Sequence, residues 1–311
     1  MAVEFCGIAL AHPVINGSGT FDAIAARRAF GDAMLDAFPF SAFVSKTITL
    51  QPRSGNPPPR LWEAQAGMIN SIGLPNRGLA GYLEHDLPRL AELPVPLITN
   101  VMGSTELEVA QLVESIDARA EVAAIELNVS CPNVQTGLDI GADPRSLGSL
   151  VRAVRPLTRK PLIVKLTPNT ADVAAVAAAA QDAGADAVSL VNTLRAMARD
   201  PGSGGPWLGG RTGGLSGAAI RSVALAQVAA VSARVSLPVI GMGGVAHGTH
   251  AHDLISVGAT LVAVGTESFR DPCAGTRIAA ELKSLQIAGS SSIEVNRSEP
   301  QPEVDLNCAD S

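Results

Sequence analysis

The chain has 311 residues, 47% of them hydrophobic and 17% charged, and a net charge of −6. That balance supports a large core and excludes disorder over most of the length, and an acidic surface argues against a nucleic-acid partner, whose phosphates select basic faces. The four cysteines, Cys6, Cys131, Cys273 and Cys308, include no CxxC pair, which fits a reducing cytoplasm and excludes a thiolate cluster for zinc or iron–sulfur within this chain.

Read from the start, the first ten residues carry Glu4 and no basic region, so no signal peptide is expected. No apolar stretch reaches the ~20 residues of a membrane span. Apolar strand-like runs then alternate with helical patterns. Strands are expected over 14–18, 42–47, 96–102, 123–130, 161–167, 187–193, 238–243 and 261–266. Helices are expected over 23–36, 78–92, 105–117, 144–157, 170–183, 216–233, 247–257 and 275–287. Thr170 and the pair Asp143-Pro144 mark helix starts, and Gly184 marks a stop. Near-continuous apolar strands separated by helices predict parallel strands buried on both faces. Eight such units favour one (β/α)8 barrel, here spanning 1–288 with an amino-terminal β-hairpin and extended loops at the mouth. The Ser/Glu/Pro-rich stretch 289–311 is expected to be a disordered tail, which leaves Cys308 without a role.

Polar residues recur where those strands end: Ser18, Lys46, Thr47, Asn100, Asn128, Lys165, Asn192, Thr193, Gly243, Gly244, Gly265 and Thr266. In a closed barrel such ends converge on one mouth, where barrel chemistry takes place. Lysines in apolar strands (Val44-Ser45-Lys46, Ile163-Val164-Lys165) are costly unless they face a partner or ligand. The run Asn128-Val129-Ser130-Cys131-Pro132-Asn133 puts a thiol between carboxamides at a strand end, where Cys131 could serve as proton-transfer group or nucleophile. Gly241-Met242-Gly243-Gly244 and Val264-Gly265-Thr266 close the last two strands and suit a phosphate held by backbone N–H groups. The Gly/Pro-rich stretch 53–60 is expected to be an ordered loop over the mouth. His247, His250 and His252 lack an accompanying ligand set and read as a solvated helix face.

With these residues in view, the chain resembles the dihydroorotate dehydrogenase family over nearly all of 3–287. The resemblance is carried by Asn16-Gly-Ser-Gly19, Ser45-Lys-Thr47, Gly55-Asn-Pro57, Asn70-Ser-Ile-Gly-Leu-Pro-Asn76, Asn128 to Asn133, Lys165, Asn192-Thr193, Gly213-Gly-Leu-Ser-Gly217, Gly243-Gly244 and Gly265-Thr266. It implies an FMN-holding barrel that oxidises dihydroorotate to orotate in pyrimidine synthesis. Cys131 would be the base for the C5 proton while hydride leaves C6 for flavin N5. A cysteine in that place, with no anchor, resembles the soluble class 1. Lys46, Asn70, Ser71, Ile72, Gly73, Leu74, Asn128, Asn133, Asn192 and Thr193 would cradle substrate. Ser18, Lys46, Thr47, Asn100, Asn128, Lys165, Val191, Gly217, Gly243, Gly244, Gly265 and Thr266 would contact FMN, with the phosphate at the last four.

The long loop from Asn192-Thr193-Leu194 to Gly217 resembles the NAD-linked 1B branch. That implies a partner subunit carrying FAD and a 2Fe–2S cluster around a homodimeric core, without nucleic acid or membrane, in the cytoplasm. Three rivals stay open on the same residues: a non-catalytic barrel that only binds or scaffolds, and two enzymes. One is a dihydropyrimidine dehydrogenase-like flavin oxidoreductase, which shares the Ser-Cys-Pro loop. The other is a Schiff-base lyase using Lys46 or Lys165.

Overall fold

The computed structural model describes residues 2–129 and 140–295. In chain order the strands are β1 (Val3–Phe5), β2 (Ile8–Leu10), β3 (Val14–Asn16), β4 (Phe43–Val44), β5 (Leu61–Ala64), β6 (Gly67–Asn70) and β7 (Leu97–Val101). They continue as β8 (Val122–Asn128), β9 (Leu162–Lys165), β10 (Ala187–Leu190), β11 (Leu194–Ala196), β12 (Gly213–Ser216), β13 (Val239–Met242) and β14 (Leu261–Val264). Helices α1 (Ala23–Phe30), α2 (Ala33–Asp36), α3 (Gly78–Gly81) and α4 (Leu87–Leu90) precede five longer ones. These are α5 (Glu106–Asp117), α6 (Pro144–Val154), α7 (Val173–Asp182), α8 (Arg221–Ser232) and α9 (Gly248–Ser256), and α10 (Ala274–Val295) ends the set.

Eight strands form the parallel barrel in the order β3-β14-β13-β10-β9-β8-β7-β4. The first and last meet without a regular ladder. Instead the fully buried Asn16 lays its carboxamide against β4: Nδ2 donates to Val44 O at 2.9 Å, and Val44 N donates to Oδ1 at 2.8 Å. A carboxamide offers one donor side and one acceptor side, as a peptide group does, so this side chain supplies the missing backbone pairing at the seam.

The barrel interior is filled by small and branched residues, among them Ile15, Val44, Ile98, Ala124, Ile163, Ala187, Ile240 and Leu261. Phe5 and Leu10 of the β1–β2 hairpin join that cluster. Cys6 Sγ donates to Asp186 O just before β10, so the hairpin plugs the amino-terminal end of the barrel. A second apolar layer lies between strands and helices, where Val109, Leu112, Val113 and Ile116 of α5 and Leu147, Val151 and Val154 of α6 turn inward. At the opposite end, β11-β12-β6-β5 form an antiparallel sheet over the mouth. Trp62 and Trp207 meet edge to face there at 5.2 Å, packed with Ile69, Ala198 and Leu208.

The eight barrel strands and the hairpin stand where expected, with several corrections at element ends. The helix expected over 23–36 is two, because Gly31 at φ +72° ends α1. α7 starts at Val173, capped by Asp172, which accepts from Ala175 N at 2.9 Å; Thr170 donates instead to Ala142 O. The segment expected as a helix from 216 begins as the end of β12, and Gly217 at φ +89° breaks it before a short 3₁₀ turn leads into α8. α10 runs on to Val295, past the 287 expected as the end of the last helix. Asp143-Pro144 and Gly184 act as read: Asp143 caps α6 and Gly184, at φ +96°, follows α7.

Candidate active site

The barrel strands deliver their polar residues to one end. Ser18 Oγ lies 3.4 Å from Thr47 Oγ1, which accepts from Asn128 Nδ2 at 3.3 Å, giving a polar line across the carboxyl ends of β3, β4 and β8. Below it, Asn100 on β7 and Ser189 on β10 (2.6 Å) both donate to the carboxylate of Glu126 on β8. Asn100 Oδ1 is buried with no partner among the described residues. A bare buried acceptor carries a desolvation penalty, which a ligand donor would relieve. Lys165 ends β9, is 6% exposed, and pairs with no carboxylate among the described residues. A buried ammonium is stable only where an anion or strong dipoles answer it.

A cavity of about 250 Å³ opens beside Lys165, between the carboxyl ends of β9, β10, β13, β14 and β3. Its walls include Ser18, Val191, Asn192, Thr193 and Gly217. They also include Gly243, Gly244, Gly265 and Thr266. Glycine is required at three of these, Gly217 (φ +89°) among them. A Cβ on Gly243 (φ +132°) would stand 2.6 Å from Ala224 Cβ, and one on Gly244 (φ +70°) 2.8 Å from Arg221 Cβ. Among the described residues no backbone acceptor takes the Gly244 or Gly265 amide. Two amides left without a backbone acceptor on adjacent loops are of the kind that can hold an anion.

Thr47, Asn100 and Asn128 thus sit in the polar layer, and the other residues expected around a cofactor line the cavity, except Lys46. Lys46 extends past Gly19, whose Cβ, if present, would lie 3.0 Å from Lys46 Cδ and Nζ. Of the residues expected around substrate, Asn70, Ser71, Ile72, Gly73 and Leu74 leave the end of β6 together. Asn70 Nδ2 donates to Gly214 O at 3.2 Å, and Ser71 Oγ accepts from Asn56 Nδ2 at 3.0 Å. Ile72 O accepts from Asn56 N, and Leu74 holds φ +56°. The loop is therefore pinned to the 53–60 segment beneath the mouth sheet. Asn192 Oδ1 accepts from Thr193 N at 2.9 Å. Cys131 and Asn133 lie outside the described residues, in the segment that follows β8.

Sequence reading missed Glu126, although an acid inside an apolar strand is the same signal that singled out the lysines. It also missed Gln65, Ala66 and Gly67, the β5–β6 turn that lines the cavity rim. Among the other thiols, Cys6 is pushed up to about 11 by burial and then by Asp186, so it stays protonated and inert near neutrality. His250 accepts from Ala246 N at 3.2 Å, and burial, followed by Arg221, lowers its pKa, keeping it neutral beside the glycine loop. Among the described residues no group of three His, Cys, Asp or Glu side chains could hold a metal.

The chain matches known proteins over nearly its whole length. The family model for dihydroorotate dehydrogenase matches residues 1–285. The catalytic subunit of dihydroorotate dehydrogenase B (NAD(+)) from Geobacter metallireducens is 45% identical over 291 residues, covering 92% of this chain and 93% of that one. Its counterpart from Pelobacter propionicus is 47% identical over 284 residues, covering 91% and 92%. Among solved structures, the Eimeria tenella enzyme in complex with ferulenol superposes with a TM-score of 0.76 at 23% identity, over 94% of this chain and 85% of that one, which supports the barrel fold.

Proposed function

The chain belongs to the dihydroorotate dehydrogenase family, and on that premise we propose that it catalyses FMN-dependent oxidation of (S)-dihydroorotate to orotate in pyrimidine biosynthesis, as a class 1B catalytic subunit. The observation that carries this reading is the pairing of a buried ammonium, Lys165, and a buried acceptor, Asn100 Oδ1, which have no carboxylate and no hydrogen-bond partner respectively among the described residues, beside a glycine-lined cavity. The residues fit FMN. Asn100 Oδ1 suits a ring N–H, Lys165 suits an anionic ring edge, and the Gly244 and Gly265 amides suit the phosphate. When bound, FMN supplies the two-electron hydride acceptor.

The chain's own residues supply the rest. Lys165 would hold the pyrimidine edge of the flavin ring, where a fixed cation in a dry site would be worth most. Lys46 answers the substrate carboxylate, and the carboxamides of Asn70, Asn128, Asn133 and Asn192 match the amide edges of its ring. Cys131 takes the C5 proton. The mouth sheet and the pinned loop 70–74 lie over this end of the barrel, and a covered site favours proton removal from a weakly acidic carbon.

The relatives are named as catalytic subunits, and we read this chain likewise as working with a separate electron-transfer subunit that carries FAD and a 2Fe–2S cluster, about a homodimeric core. Its own widely spaced cysteines suit no cluster. No helix among the described residues is long and apolar enough to cross a membrane; the reading places the chain in the cytoplasm.

The purified protein is expected to be yellow. Cys131→Ala is expected to keep FMN and orotate and to lose at least ~100-fold in flavin reduction by dihydroorotate, followed by stopped-flow bleaching. Bleaching near the wild-type rate would remove Cys131 from the role of base. Turnover of dihydrouracil in place of dihydroorotate would favour the dihydropyrimidine reading, and a colourless protein trapped by borohydride with substrate would favour the lyase.

A further inference from the structure

Arg277 stands on α10, outside the barrel, and lines no part of the cavity. Its guanidinium nevertheless reaches both loops that do. Nη1 donates to Ala246 O at 2.9 Å, in the loop after β13, and Nη2 donates to Glu267 Oε1 at 3.2 Å, in the 3₁₀ turn after β14. Nε donates to Asp271 Oδ2 at 3.0 Å, and Nη1 also reaches Glu281 Oε1 at 3.3 Å. The other Glu281 oxygen accepts from Gly248 N at 2.5 Å, fixing the start of α9 against α10. Ala246 and Glu267 both line the cavity, and each follows, on its own loop, the glycine whose amide is open.

Two physical consequences meet at this one side chain. Amides hold an anion well only when they are fixed in place before it arrives, and here the two loops that carry them share no ladder beyond Met242 and Val264. Second, the Glu267 carboxylate at the cavity wall would repel a phosphate, unless a cation answers it. A guanidinium spans several acceptors at once in a rigid fork, which an ammonium cannot reproduce.

We propose that Arg277 is a positioning residue for the phosphate end of the FMN site: it clamps the β13 and β14 loops together from behind and draws the Glu267 carboxylate onto its fork, offsetting part of that charge. The proposal rests on the FMN reading given above, and the test separates the two. The full-length chain, stripped of flavin, is titrated with FMN and with riboflavin, which differ only in the phosphate, by flavin fluorescence. Wild type is expected to prefer FMN. Arg277→Ala is expected to lose at least ~10-fold in FMN affinity, or about 1.4 kcal/mol, while riboflavin affinity stays within ~2-fold. Glu267→Gln in the Arg277→Ala background is expected to recover part of the FMN loss, because the uncompensated charge is then gone. Arg277→Lys, which keeps the stem and the charge, is expected to lose FMN affinity by an intermediate factor, and it decides the matter if the alanine variant does not fold. Unchanged FMN affinity in these variants, or an equal loss of riboflavin, overturns the clamp. A wild-type protein that binds riboflavin as tightly as FMN overturns the phosphate placement itself, and the clamp with it.

Discussion

Gly17 and Gly19 stand in one turn after β3, yet alanine is expected to act oppositely at the two. At Gly17 the backbone lies in ordinary space and a Cβ would meet nothing closer than 3.6 Å. Gly17→Ala should therefore stabilise by about 0.4–1 kcal/mol through the unfolded chain, read as a higher urea midpoint at unchanged flavin content. At Gly19 φ is +72°, and the new methyl would press on Lys46 Cδ and Nζ at 3.0 Å. Gly19→Ala should cost roughly 1–2 kcal/mol and raise KM for dihydroorotate more than it lowers kcat, if Lys46 holds the substrate carboxylate. At this scale Lys165, which lines the cavity, was legible because a charge interrupts an apolar strand. Glu126 obeys the same rule and was passed over. Arg277 could not have been found that way, because its sequence surroundings are those of an ordinary exposed helix and only folding brings Ala246 and Glu267 to it.

Among the elements, the barrel strands were legible because burial on both faces leaves a continuous apolar run. The mouth sheet was not. β5 alternates exposed with half-buried positions over four residues, and β12 is Gly-Gly-Leu-Ser, so neither carries a strand's usual composition. These strands exist because each finds a partner across the mouth, a long-range fact that no local pattern contains. The seam between β3 and β4 was equally hidden, since side chains, Asn16 foremost, carry much of its pairing. Asn16→Ala would leave Val44 N–H and C=O bare in the interior and is expected to cost about 2–4 kcal/mol in denaturant unfolding. Asn16→Asp keeps the acceptor but loses the donor and should also destabilise. A wild-type midpoint for both variants would show that the barrel closes without this carboxamide.

For the molecule as a whole, Tyr82 sets an alkaline limit. It is the chain's one tyrosine, lies buried at 2% exposure, and shares a 2.8 Å hydrogen bond with Thr99 on β7. Burial pushes its phenol up to about 12, with the Thr99 bond opposing. The folded pKa is higher than the ~10 of an unfolded chain, so the fold favours the protonated form. Its contribution to stability is complete below about pH 10 and is lost as pH rises from there through about 12. Tyrosinate absorbance should show one late titration in the native protein and one near ~10 in denaturant. A native titration near the ordinary value would mean that Tyr82 is open to water.

The mouth sheet also dates the enzyme's assembly. Its inner pair joins β6 to β12, and the Asn70–Gly214 hydrogen bond spans 144 residues of chain. During synthesis, β6 must wait beside the ribosome for β12, and β3 waits longer still for β14. A nascent chain thus has floor and staves but no ceiling, and offers a redox nucleotide no enclosed chamber.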